Sequence, residues 1–409
     1  MSKQIAYAGN KGDNVRSDCH ITLELRDRGG RQIEVDSKVN TLYGQAIRSL
    51  VEDMLGFFEL PHVWIRLEDT GALSLVIAAR VEAAISQLID TETQYLLPMI
   101  EENQYGAAKE QFRFSRLYLP GNMPKMMLNA GIHHPNGVIL DLEDSVAPDK
   151  KHEARFLVRN ALRGINFYGA ERMVRINQLP RGIEDLPYIL GHNVHTILVP
   201  KCEGAGQIRE LEEAIDRYRK QTSREAMFYL MPIIESALGV EKAFEIASAS
   251  ANIVALAIGL EDYTADIGAR RTNQAKESFF ARSRLVNACK AAGIQAIDSV
   301  FSDVADQQGL RDTVKESKSL GFEGMGCIHP RQIRIIHQSF APDADEIEQA
   351  KKIVNAYYEA QEKGLGVVSL GSKMIDPPVV RRAQKNIDLA LYLGLIPENW
   401  REAFDEDHH

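Results

Sequence analysis

The sequence predicts an α/β protein: a (β/α)8 TIM barrel with a C-terminal helical extension, preceded by a small α+β domain. Three observations carry this. From residue 116 onward, short apolar runs alternate with amphipathic helical segments. The runs at 226–235 and 253–262 are almost unbroken, as expected of strands covered on both faces. Many of these runs end on ionisable residues, and a barrel keeps its chemistry at the carboxyl edge of its sheet. An open doubly wound sheet is the alternative. No GxGxxG follows the first strand, which weakens a dinucleotide-binding reading.

In chain order, residues 1–90 read as the small α+β domain. Residues 20–27 alternate, with Ile21, Leu23 and Leu25 on one face. Gly29 and Gly30 make a turn into a second strand at 32–35, in the manner of a hairpin. A helix is expected over 41–55, alternation returns at Val63, Ile65 and Leu67, and a second helix covers 78–89. Residues 91–112 form a polar linker, broken near Pro98. The barrel spans 113–335, with strands at 116–119, 137–144, 172–177, 196–201, 226–235, 253–262, 295–303 and 324–329. Helices fall at 150–163, 205–221, 239–248, 278–292 and 303–320. Residues 336–409 form the extension, with helical stretches at 343–363 and 378–393 around a Gly-rich loop at 364–378.

A chain of 409 residues with a net charge of -9 disfavours a nucleic-acid partner. The four cysteines are scattered and form no CxxC pair, which excludes a disulfide framework and points to a reducing compartment. The N-terminus lacks the apolar core of a signal peptide, and no charge-free stretch is long enough to span a bilayer. The expectation is cytoplasmic, without a membrane partner.

Glu235 and Asp262 close the two most apolar runs and are expected to project into one opening, where two carboxylates suit a hard divalent ion such as Mg2+. Asn122, Asp141, Glu143, Asp144, Arg175, Lys201, Glu203, Glu261, Asp298 and His329 gather at the other strand ends. Helix capping alone explains the acids but not the cations, which are unfavourable near helix N-termini.

The segments YLPGN (118–122), ILDLEDSVAPDKK (139–151), VRIN (174–177), VPKCE (199–203), PIIES (232–236), GLEDYTADIGARRT (259–272), AIDSV (296–300), CIHPRQI (327–333) and KMIDPPVVRRAQ (373–384) resemble the citrate lyase beta-subunit family, within the HpcH/HpaI aldolase superfamily. Its members include malyl-, citramalyl- and citryl-thioester lyases. Ser17–Asp18, TLYGQAIRSLV (41–51) and DTGALSLVIAARVEAAI (69–85) resemble the citrate lyase gamma subunit, an acyl carrier protein.

The resemblance implies Mg2+-dependent cleavage of a 3-hydroxy-3-carboxy acyl thioester, carried by coenzyme A or an acyl carrier, to a 2-oxo acid and an acyl thioester. It implies metal ligation by Glu235 and Asp262. It implies Arg175 as stabiliser of oxyanion charge and Asp376 as an acid/base supplied by an adjacent subunit. Glu143, counted with these as a catalytic residue, is expected together with Asp144 to help hold metal-bound water, or only to cap the helix beginning near Pro148. A phosphopantetheine-type arm on Ser17, a homotrimer or hexamer, and an acyltransferase partner subunit are further implications. The residues before Ser17 (GNKGDNVR) depart from the carrier pattern. Two other readings stand beside cleavage: a malate/citramalate synthase-type condensation with thioester hydrolysis, and a lyase subunit active only within a citrate-lyase-like complex. Lys151 and Arg155 are expected to decorate a helix, His329 and Cys327 to be structural.

Overall fold

Three sheets account for the strands of the described residues: one of four, one of eight and one of two. The structure, a computed structural model, describes residues 5–222, 228–272, 274–362, 368–370 and 373–401. The start of the strand expected at 226–235, residues 364–367 and 371–372 of the loop expected at 364–378, and His408–His409 lie outside the described residues. The chain divides into two units, residues 1–336 and 337–409.

In the first unit the four-stranded sheet contains β1 (Ile5–Ala8), β2 (Cys19–Leu25), β3 (Arg31–Ser37) and β4 (Val63–Asp69). The spatial order is β1-β2-β4-β3. This corrects the hairpin expectation: β2 and β3 each pair with β4, antiparallel and parallel respectively, and not with each other. The reason lies between β3 and β4, where α1 (Asn40–Phe57) makes the crossover that a parallel neighbour requires. The second helix, α2 (Ser74–Ile85), starts four residues earlier than expected and is buried from Leu75 to Ile85. A helix apolar on all sides needs cover on all sides. Its own sheet gives one cover, and α3 (Lys151–Gly164), on the flank of the barrel, gives the other.

Charged pairs complete that seam. The Arg80 guanidinium, fully buried, donates Nε and Nη2 to the two carboxylate oxygens of Asp18 at 3.0 and 2.9 Å. Its Nη1 lies 3.3 Å from Glu153 of α3. Glu153 also accepts the Gly9 N–H at 2.7 Å. Arg159 of α3 donates to Glu82 of α2 at 2.8 Å, and Asn160 donates to the Leu75 carbonyl at 2.9 Å.

Residues 91–112 carry a single 3-10 turn, Glu101–Asn103, and are tied by their polar groups to the barrel's lower edge. Asn103 donates to the Leu162 and Ile165 carbonyls, and Arg172 donates to the Asn103 and Tyr105 carbonyls.

The eight-stranded sheet consists of β5 (Ser115–Pro120), β6 (Gly137–Asp141), β7 (Glu171–Arg175), β8 (Thr196–Val199), β9 (Tyr229–Ile234), β10 (Ala255–Ile258), β11 (Gln295–Ile297) and β12 (Met325–Cys327). All pairs are parallel, in the order β11-β10-β9-β8-β7-β6-β5-β12. One bridge, Asp298 to Met325, closes the ring. Inside it, Ile139, Met173, Leu198, Met231, Ile233, Ala255, Ala257 and Ile297 pack into one core. The connection after β7 is a 3-10 segment, Arg181–Tyr188. No helix of the described residues is long and apolar enough to cross a membrane.

The second unit packs the helix Ala344–Glu362 against Pro377–Tyr392 over Ala350, Val354, Ala383, Ile387 and Trp400. The short strands Val368–Leu370 and Lys373–Ile375 pair antiparallel.

Candidate active site

The carboxyl ends of the barrel strands open into a cavity of about 260 Å³. Glu235 and Asp262 line it together, with Asp141, Arg175 and Tyr118. Their delivery differs from the sequence expectation in one respect. The run at 253–262 is not one strand: β10 stops at Ile258, and Leu260–Asp266 is helical. Asp262 therefore stands in a first helical turn, where acids are favoured, rather than on a strand end. Gly259 makes the break. A Cβ there would sit 2.5 Å from Glu235 Oε2 and 2.9 Å from its Cβ, so only glycine lets the chain turn beside that carboxylate.

Glu235 is 6% exposed. Its Oε1 accepts the Lys201 N–H at 2.7 Å. Burial pushes its carboxyl up to about 8, the Lys201 N–H pulls the other way, and the nearby charges of Asp262 and Glu143 push it further up. Asp262 is solvent-exposed. Hard oxygen donors, negative charge in excess and an apolar wall are the conditions a divalent cation relieves. Among the described residues no group of three or more His, Cys, Asp or Glu forms a metal cluster. A cation here would fill its remaining positions with water and substrate oxygens.

The strand expected at 137–144 also ends early, at Asp141, because that carboxylate accepts the Glu143 and Ser145 N–H groups at 3.0 and 3.2 Å and turns the chain. Asp141 also receives Arg175 as a fork, Nε to Oδ1 at 2.6 Å and Nη2 to Oδ2 at 2.7 Å. Burial opposes the Asp141 charge, but the Arg175 fork outweighs it and holds the carboxyl below its ordinary value. The third nitrogen, Nη1, lies 2.9 Å from Glu143 Oε2, and the guanidinium sits 5.3 Å over the Tyr118 ring. Glu143 is further held by Lys201 Nζ at 3.2 Å. Burial raises its carboxyl despite Arg175. Glu143 thus fixes two cations at the rim.

Lys151 does more than decorate its helix. Its Nζ donates to the Leu142 and Glu143 carbonyls and to Asn177 Oδ1, locking the loop that carries Glu143. Arg155 is likewise internal, bound to Asp185 at 2.7 Å. His329 accepts the Arg331 N–H at 3.1 Å, Cys327 is buried, Asp298 pairs with Arg282, and Glu261 pairs with Arg271.

Two expected site residues lie elsewhere. Asp376 belongs to the second unit, where its carboxylate caps the helix Pro377–Tyr392 by accepting the Val379 N–H at 3.1 Å. Ser17 belongs to the N-terminal sheet region, half-buried, with φ +56°, and its N–H bonds the Thr70 carbonyl. Its neighbour Asp18 shares Arg80 with the carbonyl of Asn122, in the loop leaving β5 at the mouth end. Sequence reading missed Arg116 and Tyr118 as lining residues. The two-residue alternation of β5, which turns both inward, is the signal that identifies them.

Residues 115–330 match the family described as HpcH/HpaI aldolase/citrate lyase, and residues 6–88 match the malonate decarboxylase delta subunit, an acyl-carrier-type domain. The chain belongs to the HpcH/HpaI aldolase/citrate lyase family. Among its relatives, the citrate lyase subunit beta of Haemophilus influenzae is 38% identical over 68% of this chain and 97% of its own length. The mitochondrial citramalyl-CoA lyase of Mus musculus is 32% identical over 67% of this chain and 85% of its own. A CitE protein from Mycobacterium tuberculosis, solved with magnesium, acetoacetate and coenzyme A, is 28% identical, with a TM-score of 0.58 over 69% of this chain and 99% of its own. The first two of these relatives are named as lyases, and the chain is an enzyme of that class.

Proposed function

We propose that the cavity cleaves the carbon–carbon bond of a 3-hydroxy-3-carboxy acyl thioester, releasing a 2-oxo acid and a shorter acyl thioester. The observation that carries this reading is the joint presence in one cavity of Glu235, charged only against resistance, and Asp262. Glu235 and Asp262 would hold Mg2+, which supplies Lewis acidity toward the substrate's carboxylate and hydroxyl. Arg175, immobilised by Asp141 and Glu143, offers a preset positive charge to the oxyanion that develops as the bond breaks. Glu143 positions both Arg175 and Lys201. Asp376, contributed by another subunit, exchanges a proton with the carbon alpha to the thioester. That division needs an oligomer, and the family resemblance implies a trimer or hexamer.

The carrier-like unit favours a second form of this reading, in which the substrate is tethered. Arg80 bonds both Asp18, next to Ser17, and the Asn122 carbonyl in the loop leaving β5, which supports an arm on Ser17 serving the cavity of its own chain or an acyltransferase subunit nearby. Intact mass of the purified protein, paired with a Mg2+-dependent cleavage assay on citryl-, citramalyl- and malyl-CoA, tests both forms. Added mass at Ser17 supports tethering. Cleavage of free CoA esters by unmodified chain supports a stand-alone lyase. No cleavage in either state, with or without an acyltransferase subunit, rejects the reading. Asp376→Ala and Glu235→Gln, each inactive alone, should recover some activity when mixed and allowed to exchange subunits; no recovery after verified exchange counts against a shared site.

A further inference from the structure

Barrel interiors are ordinarily filled with branched apolar side chains. One position here departs from that rule. Arg116, two residues below Tyr118 on β5, points inward and is 1% exposed, yet it lines the cavity. Its guanidinium is nearly without partners. Nη1 meets only Met231 Sδ, 2.9 Å away, a weak acceptor, and Nε makes no hydrogen bond. Among the described residues no carboxylate forms an ion pair with it. The other buried arginines are different. Arg80, Arg113, Arg159 and Arg282 each hold a carboxylate, and Arg172 donates to three backbone carbonyls. A buried guanidinium without a counter-charge is strongly unfavourable, so a fold that keeps one calls for an anion.

The cavity lined by Glu235 and Asp262 extends to Arg116, with Tyr118, Ala257 and Gly326 also on its lining. The cavity is therefore sorted by charge. Glu235 and Asp262, acids without a cationic side chain in ion-pair contact among the described residues, stand at the mouth. Arg116, a cation without an acid in ion-pair contact among the described residues, stands at the floor. Arg175, between them, is already occupied by Asp141 and Glu143.

We infer that Arg116 is an anion receptor at the floor of the site that reads a second carboxylate on the acid fragment of the substrate. This rests on the lyase reading above and sharpens it. The 2-oxo acid released is dicarboxylic, with one carboxylate at the mouth and the other at Arg116. A monocarboxylic 2-oxo acid leaves the guanidinium unpaired.

Calorimetric titration of the Mg2+-loaded protein with oxaloacetate and with pyruvate tests this. The wild type should prefer oxaloacetate by about a hundredfold, the scale of discrimination when a buried polar group is left unpaired. Arg116→Met removes a buried charge without emptying the space and should keep the fold. Its preference should fall below about threefold, with pyruvate affinity and the Mg2+-induced rise in Tm unchanged. Equal binding of both acids by the wild type overturns the inference and leaves the lyase reading standing, as does an oxaloacetate preference that survives Arg116→Met or a loss shared equally by both acids. Binding of neither acid by the wild type overturns both.

Discussion

Two regions of this chain bury charge, and they do so in opposite ways. At the seam between the N-terminal unit and α3, every buried arginine has its acid: Arg80 has Asp18 and Glu153, and Arg159 has Glu82. In the cavity, Glu235 has a backbone N–H and Arg116 has a thioether. The seam is electrostatically complete without a ligand. The cavity is not, and its incompleteness is sorted, acidic at the mouth and basic at the floor. Buried charge marks function where its partners are missing, and marks architecture where they are present.

The strongest way to break this contrast is to make the seam resemble the cavity. Arg80→Met strands Asp18 and Glu153 in an apolar interface and should destabilise the N-terminal unit by about 3–5 kcal/mol. Hydrogen exchange in α2 should accelerate accordingly, and Arg80→Met combined with Asp18→Asn should lose less than the separate losses added together. Native-like exchange in α2 of Arg80→Met would show that apolar packing alone holds the seam. The next largest effect belongs to the mouth. Asp262→Asn should reduce cleavage by about 10²–10³-fold, the scale of losing one electrostatic stabiliser, while far-UV circular dichroism is unchanged and the Mg2+-induced rise in Tm disappears. Unchanged turnover in Asp262→Asn sinks the metal assignment.

The sequence made one of these regions visible and concealed the other. Parallel strands covered on both faces are written as continuous apolar runs, so all eight barrel strands could be located and Glu235 could be singled out. Asp262 was legible as a lining acid but not as a helical residue, because the break at Gly259 depends on the approach of Glu235 from β9. The Arg175–Asp141 fork joins residues on adjacent strands, a register that local pattern does not encode. Arg116 was hidden inside a strand read only for its apolar content. In the N-terminal unit the Gly29–Gly30 turn spoke for a hairpin, but turn chemistry is local and the insertion of β4 is not. The docking seam had one trace in the sequence, the all-round apolar surface of SLVIAARVEAAI, whose meaning appears only once α3 covers it.

A third test separates function from stability within the cavity. Glu235 is pushed up to about 8 by burial and by Asp262 and Glu143, against a reference of 4.5. Between those values the folded, metal-free protein holds a proton that the unfolded chain has released. Stability should therefore fall as pH rises from 4.5 through 8, then level off. Glu235→Gln removes this slope, and Gln can still accept the Lys201 N–H. The metal-free variant should be more stable than wild type at pH 9, by about 5 kcal/mol at most, and should gain nothing from Mg2+. Urea unfolding at pH 6 and pH 9, with and without Mg2+, reads all of this. Parallel pH profiles for wild type and variant would mean that Glu235 carries no strain.

The smallest effect lies at the opposite end of the barrel, where a titrating group is fully partnered. His195 is buried, with Nδ1 accepting the Arg172 N–H at 3.1 Å and Nε2 facing the Tyr105 carbonyl at 2.8 Å. That arrangement fits the neutral ring with its proton on Nε2. A second proton would destroy the Nδ1 bond and leave a charged ring beside the Arg172 guanidinium, whose Nη2 lies 2.8 Å from Nε2; burial together with Arg172 lowers the ring's pKa to about 4 from 6.5. Here the unfolded chain binds the extra proton first. His195 stabilises fully above 6.5, and its contribution is lost as pH falls toward 4, by on the order of 2 kcal/mol. His195→Gln should flatten the difference between urea unfolding at pH 7 and at pH 5, whatever its absolute stability. The Mg2+-induced rise in Tm at a fixed pH should be the same in His195→Gln as in wild type, because the closed end of the barrel titrates only the fold, whereas Glu235 titrates the fold and the site together.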